Sequence, residues 1–361
     1  MAQKSPSTSD CTSSDSPYVQ DAQETENLAP PRSSVPPNPA IEGRLSQYDS
    51  QCYLKDATPF LLKTSYASCI EIEGVYYIGV CGCIYKLGIE NKWKCIDCLG
   101  AQKLFGLGRL EEKLAVVGGL MHDTGKVTGD VICYDNGKRL ESKYPAMPTP
   151  RSSPTIASSD RYLIAIGGRN DDDALLPIIE IHDSKIRQWY KSRLFIPNEI
   201  LSSRMSAVLV DDSDLFVAGN LDEECGNKCI TASLNYMLGR KGNQFSQSAL
   251  QVGLSLAKPI ADGKASGNSG YNENNPTSDW NYTEKTPKFG TIALSNKTIF
   301  LFSGDKVFTY HQSTNEWAYR AKIDKAVLAG ASALVLKESI LFIGGKIDGE
   351  DQKTVKEFVV T

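Results

Sequence analysis

The stretch that decides the fold is Lys113–Tyr144, KLAVVGGLMHDTGKVTGDVICYDNGKRLESKY. A short apolar run ends at Gly118-Gly119, and a second β-favouring run, Val131–Tyr134, is followed by Asn136-Gly137. Asn-Gly between two strand-like runs is a strong hairpin signal, because both residues tolerate the positive φ of a type I′ turn. The stretch therefore predicts a strand, a glycine-rich bend, a loop, a second strand, a tight turn and a third strand.

The apolar run that ends in glycine recurs along the chain. Its six copies are YYIG (Tyr76–Gly79), LAVVGG (Leu114–Gly119), LIAIGG (Leu163–Gly168), LFVAG (Leu215–Gly219), IFLFSG (Ile299–Gly304) and ILFIGG (Ile340–Gly345). Most copies follow another apolar run across a polar turn, which predicts that each repeating unit opens with a hairpin. A third strand then carries an aromatic residue or a histidine near its end, at Tyr85, Tyr134, His182, Tyr236, Tyr310 and Phe358.

Three of the four tryptophans occupy one position of this repeat. Trp93, Trp189 and Trp317 each follow a polar turn after the third strand, whereas Trp280 lies outside the pattern. The units therefore contain four strands and recur about every 40–50 residues, which is typical of β-propeller blades. A single four-stranded sheet cannot bury both of its faces, but blades stacked around an axis can.

An apolar run that ends in Gly-Gly, followed by a spaced tyrosine and a spaced tryptophan, resembles the kelch repeat. The resemblance extends over residues 47–361 and is clearest in Leu114–Tyr144, Leu163–Trp189 and Ile340–Phe358. It implies an all-β fold, a six-bladed β-propeller of the kelch type. The glycine pair is replaced in the other three copies, by Gly79-Val80, Ala218-Gly219 and Ser303-Gly304.

The two ends of the chain predict how the ring closes. The last unit stops at EFVVT, its third strand, while the strand-like segment Gln47–Lys55 has no unit of its own. We expect this N-terminal strand to complete the last blade, because pairing removes an exposed sheet edge. The Ser/Pro-rich residues 1–45 are predicted to be a disordered tail, which leaves 46–361 as the propeller. Residues 258–288, dense in Gly, Asn, Ser and Thr, are predicted to form a long mobile loop between blades four and five.

Charge and hydropathy narrow the classes of function. The net charge of −4 and the pI of about 5.6 offer no basic face to nucleic acid. No apolar run approaches the ~20 residues that a membrane-spanning helix needs, and the N-terminus lacks the pattern of a secretory signal. We therefore expect a monomeric propeller in the cytoplasm, with the nucleus as an alternative location.

The ten cysteines are predicted to be unpaired thiols, because a reducing compartment disfavours disulfides. Cys81-Gly-Cys83 and Cys95-Ile-Asp-Cys98 fall in one blade and raise the alternative of a four-thiolate zinc site. The first pair has one intervening residue, whereas about two to four are usual in structural zinc sites. The sequence therefore predicts no metal.

The histidines argue against the copper chemistry that the resemblance to some kelch-like oxidases would imply. The chain has three, and His182 and His311 fall in predicted third strands, which leaves only His122 on a loop after a double glycine. One loop histidine cannot form a two-histidine copper site. Catalytic-triad, P-loop and dinucleotide motifs are also absent, so we expect a non-enzymatic protein without a cofactor. The alternative is a divergent kelch-like propeller enzyme that acts on a small molecule in the central pocket.

The resemblance also implies that the loops after the second strands and the connections between blades emerge on one face. Arg151 and Arg204 take equivalent positions before a first strand, in PRSSP and SRMSA, and Arg169 directly follows a double glycine. Similar propellers often use arginines there to bind acidic or phosphorylated peptides, since guanidinium groups suit carboxylates and phosphates. We therefore predict an interaction module or scaffold with a protein or peptide partner. Actin binding is a further alternative, which we rank below the other two.

His122 and Lys346 complete the predicted set of partner-binding residues, because they fall in the post-glycine loops 120–130 and 346–352. For the arginines, the alternative is an ion pair with an acidic loop such as Asp171–Asp173. The sequence leaves both interpretations open.

Overall fold

The computed structural model describes residues 52–88, 92–100, 102–141, 144–202, 205–219, 228–239, 280–283, 290–323, 325–328, 330–336 and 339–360. The predicted tail (1–45) lies outside the described residues. So do Arg204, residues 258–279 and residues 284–288.

The chain enters the fold through β1 (Cys52–Asp56) and then builds the first three sheets in order. Blade one contains β2 (Ser68–Ile72), β3 (Val75–Val80), β4 (Cys83–Leu87) and β5 (Trp93–Cys98). Blade two contains β6 (Gln102–Lys103), β7 (Gly106–Leu110), β8 (Lys113–Met121), β9 (Lys126–Asp135) and β10 (Lys138–Arg139). Blade three contains β11 (Thr155–Ser158), β12 (Tyr162–Ile166), β13 (Ile179–Asp183) and β14 (Gln188–Lys191).

The remaining three sheets follow in the same way. Blade four contains β15 (Ser206–Val210), β16 (Asp214–Gly219), β17 (Lys228–Ser233), the one-turn helix α1 (Leu234–Met237) and β18 (Asn281–Tyr282). Blade five contains β19 (Thr291–Ser295), β20 (Thr298–Ser303), β21 (Lys306–His311) and β22 (Glu316–Lys322). Blade six contains β23 (Ser332–Val335), β24 (Ser339–Ile343), the small hairpin β25 (Lys346–Ile347) and β26 (Glu350–Asp351), and β27 (Val355–Val360).

Among the described residues, the hydrophobic core consists of six clusters, and each lies between two consecutive blades. The cluster between blades one and two, for example, packs Ile84 against Leu114 and Tyr134. The cluster between blades six and one packs Ile343 against Ile78. Because every blade shares a core with two neighbours, the sheets form a closed ring. The predicted six-bladed β-propeller is therefore confirmed.

The N-terminal strand closes the ring as predicted. Strand β1 pairs antiparallel with β27, with Leu54 opposite Phe358 and Asp56 opposite Lys356. The Leu54 side chain is buried in the cluster between blades five and six, together with Phe358 and Phe302. The first described strand thus supplies both the hydrogen bonds and the apolar packing that the last blade lacks, and it covers a sheet edge.

The long insertion does not lie between blades four and five. Its described part, β18, pairs with β17, so Ile230 faces Tyr282 and the insertion falls inside blade four, between the third and fourth strands. Trp280 directly precedes β18 and is buried in the core. All four tryptophans therefore lie at the start of a fourth strand. The prediction placed Trp280 outside the pattern because the insertion separates it from its own third strand.

The third-strand position of blade four was also assigned wrongly. Leu163 of blade three faces His182, and the equivalent Leu215 of blade four faces Ala232. Tyr236 lies in α1 after the strand, and its side chain is 43% exposed. His182, in contrast, is buried edge-on to Trp189 at 5.2 Å between ring centroids, which confirms its structural assignment.

Candidate interaction face

The loops after the second strands and the connections between blades lie together on one side of the ring. Backbone bridges join Ser152 to Arg169 and Thr64 to Gln352, and β6 pairs with the end of β8. We call this side the loop face and define it by residues 60–66, 102–105, 122–125, 146–154, 169–177, 195–202 and 345–352.

At the double glycines of this face, the connections between blades pack closely against the ends of the second strands. Gly119 has a φ of 126°, and a Cβ atom there would meet the Lys103 carbonyl oxygen at 2.7 Å. A Cβ atom on Gly168 would meet the Ser152 carbonyl oxygen at 2.6 Å. In both places the connection into a blade crosses directly over the end of its second strand. Only glycine leaves room for that backbone. The glycine pair of the repeat therefore marks the point where a connection between blades packs against the sheet.

Arg151 lies inside the propeller and has no exposed surface. Its Nη2 donates to Glu180 Oε2 at 2.5 Å, and its Nη1 donates to the carbonyls of Gly167 at 3.0 Å and Ile178 at 3.2 Å. Its Nε donates to the Thr149 carbonyl at 3.1 Å. Every nitrogen of the guanidinium thus has an internal acceptor, and the prediction that Arg151 contacts a partner is wrong.

Glu180, on β13, is as deeply buried as the arginine that it binds. Its second oxygen, Oε1, accepts a hydrogen bond from the Thr149 hydroxyl at 2.8 Å. Burial lowers the pKa of Arg151, while the Glu180 charge acts in the opposite direction. A buried ion pair persists only when its charges are paired and hydrogen bonded, and here both conditions hold. The pair fixes the connection between blades two and three onto the sheet of blade three.

Arg169 has the opposite environment at the surface of the loop face. Its Nη1 donates to the Asp173 carbonyl at 2.6 Å and lies 3.2 Å from Asp173 Oδ2. The side chains of Arg169 and Asp173 are 30% and 51% exposed. Arg169 therefore forms the ion pair with the acidic loop that the sequence offered as the alternative, while part of its guanidinium still reaches solvent.

The other predicted contacts are spread along the same face. His122 is exposed in the turn between β8 and β9. Lys346 is partly buried in β25, with Nζ 3.8 Å from Asp351 Oδ1. Arg204 lies outside the described residues. The loops of blades two and three touch each other, because the Val127 amide donates to Asp171 Oδ1 at 2.7 Å.

Exposed apolar side chains are the feature of the loop face that sequence reasoning missed. Among the described residues, eight large hydrophobic side chains are exposed, and five of them belong to the loop face. These five are Leu61 (53%), Tyr66 (40%), Leu104 (55%), Phe195 (41%) and Ile347 (47%). Four of the five lie in connections between blades, which carry no repeat signature. Only the turn chemistry around them was visible in the sequence.

Three of these five side chains belong to the seam between blades six and one. Leu61 and Tyr66 lie on the segment that runs from β1 to β2, and Ile347 lies on the β25–β26 hairpin beside it. Polar contacts fasten the two segments: Ser65 Oγ donates to Asp351 Oδ1 at 2.8 Å, and Lys63 Nζ donates to Glu350 Oε2 at 3.5 Å. The seam thus carries three exposed apolar side chains within a polar rim.

The tyrosines at the third-strand positions are held neutral by their surroundings. Burial raises the pKa of Tyr310 to about 12, and its hydroxyl donates to Asn315 Oδ1 at 2.6 Å. Burial, with a hydrogen bond to Asp97, also raises the pKa of Tyr134. These shifts follow from packing between blades.

The cysteines of blade one differ from the predicted unpaired thiols. Cys83 and Cys98 lie on adjacent strands and form a disulfide. Cys95 lies close to Cys98, whereas Cys81 does not join this cluster, so the alternative of four clustered thiolates is not assembled. Cys69, on β2 of the same blade, and Cys133, in blade two, are free thiols, and burial raises the pKa of Cys133 to about 12.

Comparisons with known proteins agree with the architecture. No family model matches the chain. A segment of 146 residues, 39% of the chain, is 22% identical to Kelch-like protein 41b of Danio rerio, and the match spans only 23% of that protein's length. The fold is similar to the solved structure of YjhT, with a TM-score of 0.56 and 12% identity over 82% of this chain and 95% of that one. The chain therefore has a β-propeller fold and is similar, over 39% of its length, to a kelch-like protein.

The described residues hold no helix that is long and apolar enough to cross a bilayer.

Proposed function

We propose that this propeller is a non-enzymatic protein-interaction module whose loop face binds a peptide or a segment of another protein. The observation that carries the proposal is the concentration of exposed apolar side chains there, five of the eight among the described residues. Apolar side chains inside a polar rim are typical of protein interaction sites. The similarity to Kelch-like protein 41b supports a protein-binding propeller at the level of class.

The seam between blades six and one is the proposed anchor of the partner. Leu61, Tyr66 and Ile347 offer the apolar contacts, and the Lys63–Glu350 pair lies at their edge. An extended segment with an apolar or aromatic side chain fits this surface, because a few buried apolar contacts contribute most of the affinity in such interfaces.

Arg169, His122 and Lys346 are the proposed peripheral contacts. Exposed charges at the edge of an interface guide association and select partners more than they add affinity. Arg169 is already paired with Asp173, so a partner carboxylate would compete with that pair. Arg151 is excluded, because its buried guanidinium cannot reach a partner.

The test is affinity capture by the full-length chain, followed by mass spectrometry. We expect Leu61→Asp combined with Ile347→Asp to lose the proteins that the unaltered chain captures. Ile186→Asp is the matched control, because Ile186 is 48% exposed but lies outside the loop face, in the turn between β13 and β14. It should retain the captured set.

A captured set that survives the Leu61/Ile347 variant, or that is lost equally in the Ile186 control, would rule out the seam as the anchor. Arg169→Glu should change which partners are captured, or how salt affects them, and should leave the fold intact. A propeller that captures no protein but retains a small molecule through purification would favour the enzyme alternative.

A further inference from the structure

The outer edge of blade one brings three cysteine sulfurs together. Cys83 on β4 lies directly opposite Cys98 on β5, with the Cα atoms 4.1 Å apart, and the two form a disulfide. The Cys95 and Cys98 sulfurs are 3.5 Å apart, and all three sulfurs lie within 4.8 Å of one another. Cys83 is buried, whereas Cys95 and Cys98 are exposed. The cluster thus has one internal and two accessible sulfurs.

A bulge between β4 and β5 creates this arrangement. In a regular strand, residues three apart point to opposite faces of the sheet, so Cys95 and Cys98 would be separated. The register shifts here, with Ile84 opposite Asp97 and Tyr85 opposite Cys95, which leaves Ile96 as the extra residue. An extra residue reverses the alternation and brings both sulfurs to one face.

A similar bulge occurs in blade five, but without cysteines. Its third and fourth strands also shift register, with Val307 opposite Ala321 and Phe308 opposite Tyr319. The Phe308 and Tyr319 rings pack edge-on there, 5.9 Å apart. The same backbone feature therefore carries aromatic rings in one blade and sulfurs in another.

The spacing of the sulfurs suits zinc. Tetrahedral zinc with Zn–S bonds of about 2.3 Å separates its sulfur ligands by about 3.8 Å. The 3.5 Å between the Cys95 and Cys98 sulfurs is close to that separation, whereas the Cys83 and Cys98 sulfurs are bonded and have to move apart. Two paired strands hold the ligands, so little order has to be gained on binding. The exposed sulfurs leave an entry path and a fourth position that faces water.

The disulfide must open before a metal can bind. A dithiol reductant breaks the Cys83–Cys98 Sγ–Sγ bond by two successive thiol–disulfide exchanges, leaves both residues as thiols and is itself oxidised to a disulfide. Each thiol that ligates zinc then gives up its proton to solvent.

We propose that Cys83, Cys95 and Cys98, once reduced, form a three-thiolate site for one zinc ion on the outer edge of blade one. Water takes the fourth position. The site lies on the two outermost strands of blade one, at the strand ends from which the chain continues into the loop face at Gln102.

The experiment is a zinc titration of the reduced full-length chain, without oxygen, in competition with a chromophoric chelator. We expect one zinc per chain, and Co²⁺ as a probe should give thiolate charge-transfer bands with tetrahedral ligand-field intensity. Cys95→Ser changes an exposed side chain and should weaken zinc binding at least about tenfold. Zinc should also raise the Tm of the unaltered chain, and a chelator should reverse the shift, so one readout is independent of any variant.

Cys69→Ala is the matched control, because Cys69 lies on β2 of the same blade and outside the cluster. It should bind zinc like the unaltered chain. A reduced chain that binds no zinc would overturn the proposal. So would affinity that is unchanged in Cys83→Ser, Cys95→Ser and Cys98→Ser. A Cys83–Cys98 disulfide that persists in excess reductant would also overturn it and would make the pair a structural crosslink.

Discussion

Arg151 and Arg169 meet at the same corner of blade three, where the connection from blade two crosses the end of β12. Arg151 directly precedes Ser152, which is bridged to Arg169. One guanidinium is fully buried against Glu180, and the other is 30% exposed beside Asp173. The two arginines therefore have the same charge and lie near each other in the fold, but one is in the protein interior and the other is at the surface.

The difference shows that two arginines at one corner of a blade can differ completely in accessibility. Arg151 is buried because Glu180, on the third strand, supplies a carboxylate beneath the glycine pair. Arg169 is partly exposed, and its acidic partner is on a surface loop. A buried pair supports the sheet, whereas an exposed pair can exchange its partner at little cost.

The largest expected effect is on stability. Arg151→Ala leaves Glu180 buried without its counter-charge and should lower the free energy of unfolding by about 3–5 kcal/mol. Arg169→Ala should lower it by less than about 1 kcal/mol, because solvent screens that pair. Urea unfolding followed by tryptophan fluorescence measures both. Losses of similar size would contradict the contrast between the two sites.

A smaller effect should appear in double-mutant cycles. The Arg151/Glu180 cycle, with methionine and leucine as the replacements, should give a coupling energy of at least about 2 kcal/mol, because the single variants leave a charge unpaired. Recovery in the double variant should be incomplete, since the carbonyls of Thr149, Gly167 and Ile178 lose a donor. The Arg169/Asp173 cycle should give less than about 1 kcal/mol and should weaken with salt. Equal coupling at the two sites would disprove the distinction.

The smallest effect concerns acid sensitivity at His182, on the same strand as Glu180. Burial lowers the pKa of His182, while Glu111 and Asp183 act to raise it and Arg187 acts to lower it. Below its ordinary pKa of about 6.5, the unfolded chain takes up a proton that the folded chain does not, so stability falls as pH falls, by at most about 1.4 kcal/mol per pH unit.

His182→Phe, which copies Phe358 of blade six, should remove this part of the pH dependence. Unfolding free energies measured on both sides of that pKa test it, with Arg169→Ala as the control that should keep the dependence. A slope that is identical in His182→Phe would assign the acid sensitivity to other groups.

The repeat itself could be predicted from the sequence, whereas some individual residues were assigned to the wrong position or could not be assigned. Runs such as Leu163–Gly168 predict, within a few residues, both a strand and the glycine pair that ends it. The assignment of Tyr236 failed because its unit is interrupted, and Trp280 was separated from its pattern by the same insertion. The exposure of residues such as Leu61 and Ile347 could not be predicted, because the sequence does not distinguish a buried apolar residue in a connection from an exposed one.

The sequence by itself determined the six blades, the hairpins inside them and the strand that closes the ring. These depend on local chemistry, namely alternating apolar residues, turn residues and glycines, repeated often enough to be recognised. The tertiary structure alone decided which arginine is buried, where the apolar surface gathers and which sulfurs meet. Those outcomes depend on pairs such as Arg151 with Glu180, or Cys83 with Cys98, whose contact exists only after the strands have taken their register.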